Sequence, residues 1–170
     1  MDRLFDWTGR VSFALVVVTK LLLAAIVVLV VADVVVRNLG LRPIPWAVSA
    51  AEYSLLYAAF LPMPWLVRTR GHVFVEFLRK ALPPVAQRLL EKIVYVACVA
   101  LCLYLGGYAL AGLAAAWADG AYETRTFDMP QWLVLLPVTI GFLLSALEWL
   151  RFLAGRASLY DVDPLEMEGL

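Results

Sequence analysis

Five ionisable side chains interrupt or border long apolar runs in this sequence: Lys20, Asp33, Arg37, Glu52 and Glu148. Charges at bilayer depth are costly, so they either relay protons or ions, or they pair and fix helix packing. A relay places its acids near the middle of the bilayer. At about 1.5 Å of rise per residue, Lys20 and Glu148 share one half of the bilayer, whereas Asp33 and Glu52 share the other. Arg37 follows Asp33 by one helical turn, and Arg42 is close behind. The spacing predicts two structural clusters: Lys20 with Glu148, and Asp33 and Glu52 with a nearby arginine. Cys98 and Cys102, one turn apart in an apolar run, read as small polarisable packing groups, because thiols in apolar surroundings are inert. The single histidine, His72, excludes paired haem ligation and leaves no zinc-binding set. No Gly-rich phosphate loop or Ser/His/Asp arrangement is present. The expectation is a chain with no catalytic residue, no cofactor and no metal.

The elements that carry these charges follow from composition. The 170 residues are 64% hydrophobic and 16% charged, with a mean hydropathy of +0.84. Soluble domains carry about a quarter charged residues, so most of this surface must face lipid. Fourteen basic and fourteen acidic residues cancel, which removes any electrostatic basis for nucleic-acid binding. A bilayer core of roughly 30 Å needs about 20 apolar residues per helix. Four stretches meet that length, at about 11–36, 46–67, 93–117 and 132–153. They predict an all-α integral membrane protein: one four-helix membrane domain over 1–156, followed by an acidic tail over 157–170. The first stretch is too long for the core of a cleaved leader and lacks a small-x-small cleavage pattern, so it reads as a retained helix.

Lys and Arg gather in cytoplasmic loops. Arg3, Arg10, Arg68, Arg70, Arg79, Lys80, Arg88, Lys92, Arg151 and Arg156 fall on one side, and Arg37, Arg42 and Arg125 on the other. Ten against three predicts both termini in the cytoplasm. Pro45-Trp46 and Pro130-Gln131-Trp132 mark entries from the opposite face, since proline suits a helix start and tryptophan the headgroup level. Between the second and third stretches, Val73, Phe74, Phe77, Leu78, Ala81 and Leu82 line one helical face, with Glu76, Arg79 and Lys80 away from it. That pattern over about 72–82 predicts a short amphipathic helix lying in the membrane plane, or docked on a partner protein. Gly107, Ala111 and Ala115 recur every four residues, a spacing that lets helices approach closely. Pro62, Pro64 and Pro137 each predict a kink.

The order of these features resembles the small membrane subunit of tripartite ATP-independent periplasmic (TRAP) transporters, the DctQ-like family. The residues that carry the resemblance are Arg37-Asn38-Leu39-Gly40, then PIPWAVSAAEYSLLYAAF, then the segment containing Arg70, Gly71, His72 and Val73, and finally FDMPQWLVLLPVTIGFLLSALEWL. Two prolines in FLPMPWL stand where the family more often has small residues. The resemblance implies a bacterial or archaeal inner-membrane protein acting with a large permease subunit and a periplasmic substrate-binding protein in organic-acid uptake. It implies a scaffold rather than a carrier, with Arg42, Glu123 and Arg125 as candidate contacts for the binding protein. The alternative is an autonomous proton-coupled exporter, a homodimer with Glu52 as the coupling acid.

Overall fold

The computed structural model describes residues 2–69, 83–124 and 128–155. Five helices account for most of them: α1 Asp2–Asn38, α2 Ala47–Phe60, α3 Met63–Arg68, α4 Pro84–Asp119 and α5 Gln131–Leu153. A two-residue antiparallel pair, β1 Tyr122–Glu123 and β2 Met129–Pro130, closes the turn between α4 and α5. Among the described residues, three helical stretches are long and apolar enough to cross a membrane: Phe5–Asn38, Val85–Asp119 and Gln131–Leu153. The expected second span is instead divided into α2 and α3. The cause is local. Pro62 has no N–H to continue the ladder, yet Leu61 and Pro62 keep right-handed helical backbone angles, so the chain bends without reversing. The in-plane helix expected over 72–82, the Arg70–Val73 motif, Arg125 and the tail 157–170 lie outside the described residues.

Helix α5 is the centre of the bundle, packing against α1, α2, α3 and α4. Its join with α4 holds the main core, in which Tyr95, Val99 and Cys102 meet Ala146, Trp149 and Phe152, with Val67 of α3 completing the cluster. Cys98 packs against this cluster and both thiols are free. Gly106 faces α5 so closely that a Cβ there would lie 3.0 Å from Leu143 Cδ2. Helix α1 turns inward a stripe of small and polar residues: Thr8, Gly9, Ser12, Thr19 and Asp33 are buried, and Leu22, Ile26 and Leu29 between them are half-buried. The spacing of about three to four residues is one helical face. Thr8, Ser12 and Thr19 return their hydroxyls to carbonyls one turn back, at 2.7–3.0 Å, so none is left bare at bilayer depth. Apart from Lys20, the rest of α1 from Val17 to Val35 is mostly aliphatic and outward.

The helix ends are set by a few residues. Gly120 ends α4 in the left-handed conformation at φ 58°, and the Gln131 N–H then donates to the Ala121 carbonyl at 2.9 Å to close the hairpin. Beside it, Trp117 and Trp132 meet edge to face at 4.8 Å, both at the level where indole rings favour the headgroup boundary.

Candidate functional site

The helices need polar cross-links to hold their relative positions, since apolar surfaces gain nothing by meeting each other in lipid. The strongest cross-link lies at the end of the bundle where α3 stops. Glu148 of α5 is fully buried. Its Oε1 accepts from Arg68 Nη1 of α3 at 3.0 Å, and its Oε2 lies 3.5 Å from Arg151 Nε, one turn further along α5. The same Arg68 nitrogen donates to the Phe5 carbonyl of α1 at 2.9 Å. Arg151 in turn reaches the Arg68 carbonyl at 3.5 Å and stacks over Phe152, 5.1 Å from the ring centre. One guanidinium therefore ties α1, α3 and α5 together. Gly9 makes this possible: the Arg68 guanidinium lies against it, and any Cβ there would overlap the group.

This cluster corrects one expectation. Glu148 is met by Arg68 and Arg151, not by Lys20. Lys20 is exposed while its neighbour Thr19 is buried. Residues adjacent in a helix are about 100° apart, so depth alone did not determine which way Lys20 faces. In the sequence Arg68 reads only as a loop charge; its place one helical turn after Pro64, facing the end of α5, is not visible in sequence spacing.

A second polar junction fixes the opposite end. Asp33 is buried and accepts from Arg37 Nε at 2.8 Å. Its other oxygen accepts the Ile44 N–H at 2.9 Å, so the same carboxylate fastens the loop from α1 to α2. Gly40, at φ 72°, supplies the left-handed turn that starts that loop. Glu52 is on an exposed face of α2. Arg42 is exposed in the loop, and Glu123 is half-buried within β1.

The prolines create a third junction between α2–α3 and α5. Pro137 cannot offer the N–H that would bond the Leu133 carbonyl. The Tyr57 hydroxyl of α2 donates to that carbonyl instead, at 2.7 Å. The arrangement is reciprocal. Pro64 likewise removes the helical partner of the Phe60 carbonyl, and that oxygen lies against Gly141 of α5, where a Cβ would be 2.5 Å away. Tyr57→Phe would leave the Leu133 carbonyl without its donor in a water-free contact. An expected loss of about 1–3 kcal/mol follows from leaving a buried acceptor bare. Thermal unfolding in detergent checks it, and Pro137→Ala added to Tyr57→Phe should recover part of the loss.

Among the described residues, the Gly107, Ala111 and Ala115 stripe of α4 is not buried against another helix. All three are exposed, with open space beside Gly107. Tyr104 and Tyr108 stand on the same face, 70% and 78% exposed.

Among the described residues, no group of three or more His, Cys, Asp or Glu side chains is placed to hold a metal ion. No curated protein matches the chain. Over residues 26–158 it matches the family described as tripartite ATP-independent periplasmic transporters, DctQ component.

Proposed function

The chain belongs to the DctQ family, the small membrane component of TRAP transporters, and from that premise we propose that it is the static brace of its transporter. It is a multi-pass membrane protein of a transport system and not an enzyme. In a tripartite system its companions are a large permease and a periplasmic binding protein. On the proposed reading, the permease carries the solute and this subunit holds it in the bilayer. Organic acids are the proposed solutes.

The observation that carries this reading is the Arg68–Glu148–Arg151 cluster, in which the Arg68 guanidinium joins three helices beside one buried carboxylate. A carrier must break and remake contacts between its helices as it alternates between states. A buried ion pair that also engages a backbone carbonyl and packs on a glycine opposes such motion. Asp33 and Tyr57 act in the same way elsewhere, each joining one element to another.

The proposed orientation puts both termini in the cytoplasm, from the ten-to-three distribution of Lys and Arg. The Arg68 cluster is then at the cytoplasmic boundary, and the Arg42 and Glu123 loops face the binding protein. The outward face of α4, with its small residues and two tyrosines, suits a helix of the permease. Lipid tails provide no acceptor for a tyrosine hydroxyl, and small residues let a second backbone come near. Reconstitution tests the proposal: the chain alone in liposomes is expected to move no organic acid.

A further inference from the structure

Beside the Arg68 cluster, α1 and α3 enclose an open cavity of about 430 Å³ lined by Asp6, Gly9, Arg10, Phe13, Trp65 and Arg68. We propose that it is a headgroup site for a zwitterionic aminophospholipid, with Arg10 and Arg68 on the phosphate and Asp6 on the ammonium. The inference does not depend on the brace reading; it needs only that these helices lie in a bilayer.

The chemistry of the lining supports that assignment. Arg68 uses Nη1 for both of its bonds within the chain. Its Nε and Nη2 make no hydrogen bond to a described residue, and its side chain keeps 23% exposure, so the guanidinium has donors left for an anion. Asp6 and Arg10 are one turn apart and both exposed, yet neither forms an ion pair or side-chain hydrogen bond with a described residue. Two cations and one carboxylate around one cavity match a phosphate with an ammonium attached. A purely anionic headgroup would meet Asp6 as a repulsion, and a quaternary ammonium could not donate a hydrogen bond to it.

The depth and the floor of the cavity fit a lipid. Along α1, Arg10 lies about 40 Å from Arg37, more than the hydrocarbon thickness, which puts it at headgroup level. Below it Phe13 and Trp65 meet edge to face at 5.3 Å. Phe13, Val17 and Leu21 continue the face of Asp6 and Arg10 at three- and four-residue spacing, all exposed. Polar residues at the boundary lead onto an apolar track that acyl chains can follow.

The test uses the full transporter, delipidated in detergent, with phosphatidylethanolamine, phosphatidylglycerol, phosphatidylcholine or inorganic phosphate added. Native mass spectrometry counts retained lipid, and thermal unfolding gives the shift in midpoint. The wild-type protein should retain phosphatidylethanolamine above the other two lipids. Arg10→Ala should weaken it about tenfold, the loss of one charge-assisted contact. Asp6→Asn should abolish the preference over phosphatidylglycerol, lowering retention of phosphatidylethanolamine and leaving phosphatidylglycerol bound at least as well. Since neither side chain has a partner among the described residues, the lipid-free midpoints should be unchanged. Equal retention by wild type and both variants overturns the proposal. So does a midpoint shift reproduced by inorganic phosphate, which would mark a free-anion site. Weaker permease capture by both variants, with no change in lipid retained, would assign the cavity to a protein segment and overturn it as well.

Discussion

Glu148→Ala should be the most damaging single substitution in the chain, lowering the stability of the assembled subunit by on the order of 3 kcal/mol. The carboxylate is fully buried and serves two guanidinium groups at once. Its removal takes the shared counter-charge away from Arg68 and Arg151 and leaves the two cations facing each other across its place. Like charges then repel where attraction had held α3 to α5. Replacing both partners of a buried pair is far milder than replacing one, because no bare charge remains. Glu148→Leu combined with Arg68→Met removes the closer ion pair whole and leaves Arg151 in place, so it should recover part of the loss that either single change causes. Thermal unfolding of the detergent-solubilised complex reads this directly. A double variant no more stable than Glu148→Leu alone would mean that the Arg68 contact contributes little.

Gly141→Ala should be the second most damaging, at about 1–3 kcal/mol for an added methyl in a filled contact. The obstacle is backbone, not a side chain that can swing away: the added carbon would lie 2.5 Å from the Phe60 oxygen and 3.2 Å from its carbonyl carbon. Relief requires α2 and α5 to separate, and that would lengthen the Tyr57–Leu133 hydrogen bond, now 2.7 Å. By contrast, Gly107→Ala faces open space within the chain and should leave the isolated subunit unaffected. Comparing the two unfolding midpoints separates close packing from the general cost of altering a helical glycine. Equal effects would contradict the packing described for Gly141.

Much of this arrangement is legible in the sequence. Three apolar stretches give away their helices through length alone, because a bilayer sets a minimum that few soluble helices reach. Pro62 and Pro64 announce the break in the second stretch, since a missing N–H is a local fact of the sequence. The contact of Asp33 with Arg37 can be read from four-residue spacing on one helix. Contacts between helices were not legible in the same way. Depth along an axis fixes the level of Lys20 and Glu148 but not the direction in which either points. Arg68 is the missed residue. It follows an apolar run as a terminal cation, and nothing local distinguishes it from Arg70. Its role arises from Gly9 on one neighbour and Glu148 on another, two positions far from it in the chain. The two proline-linked junctions were half visible: the sequence shows which carbonyls lose a donor, and only the fold shows that Tyr57 and Gly141 receive them.

Solute uptake into liposomes tests the brace role most directly. Three preparations are needed: this subunit alone, the large permease alone, and the two together, each supplied with the binding protein and a panel of labelled organic acids under an ion gradient. Accumulation is expected only where the permease is present, and most strongly in the complex. Gradient-driven accumulation by this subunit alone would contradict the assignment and make it a carrier.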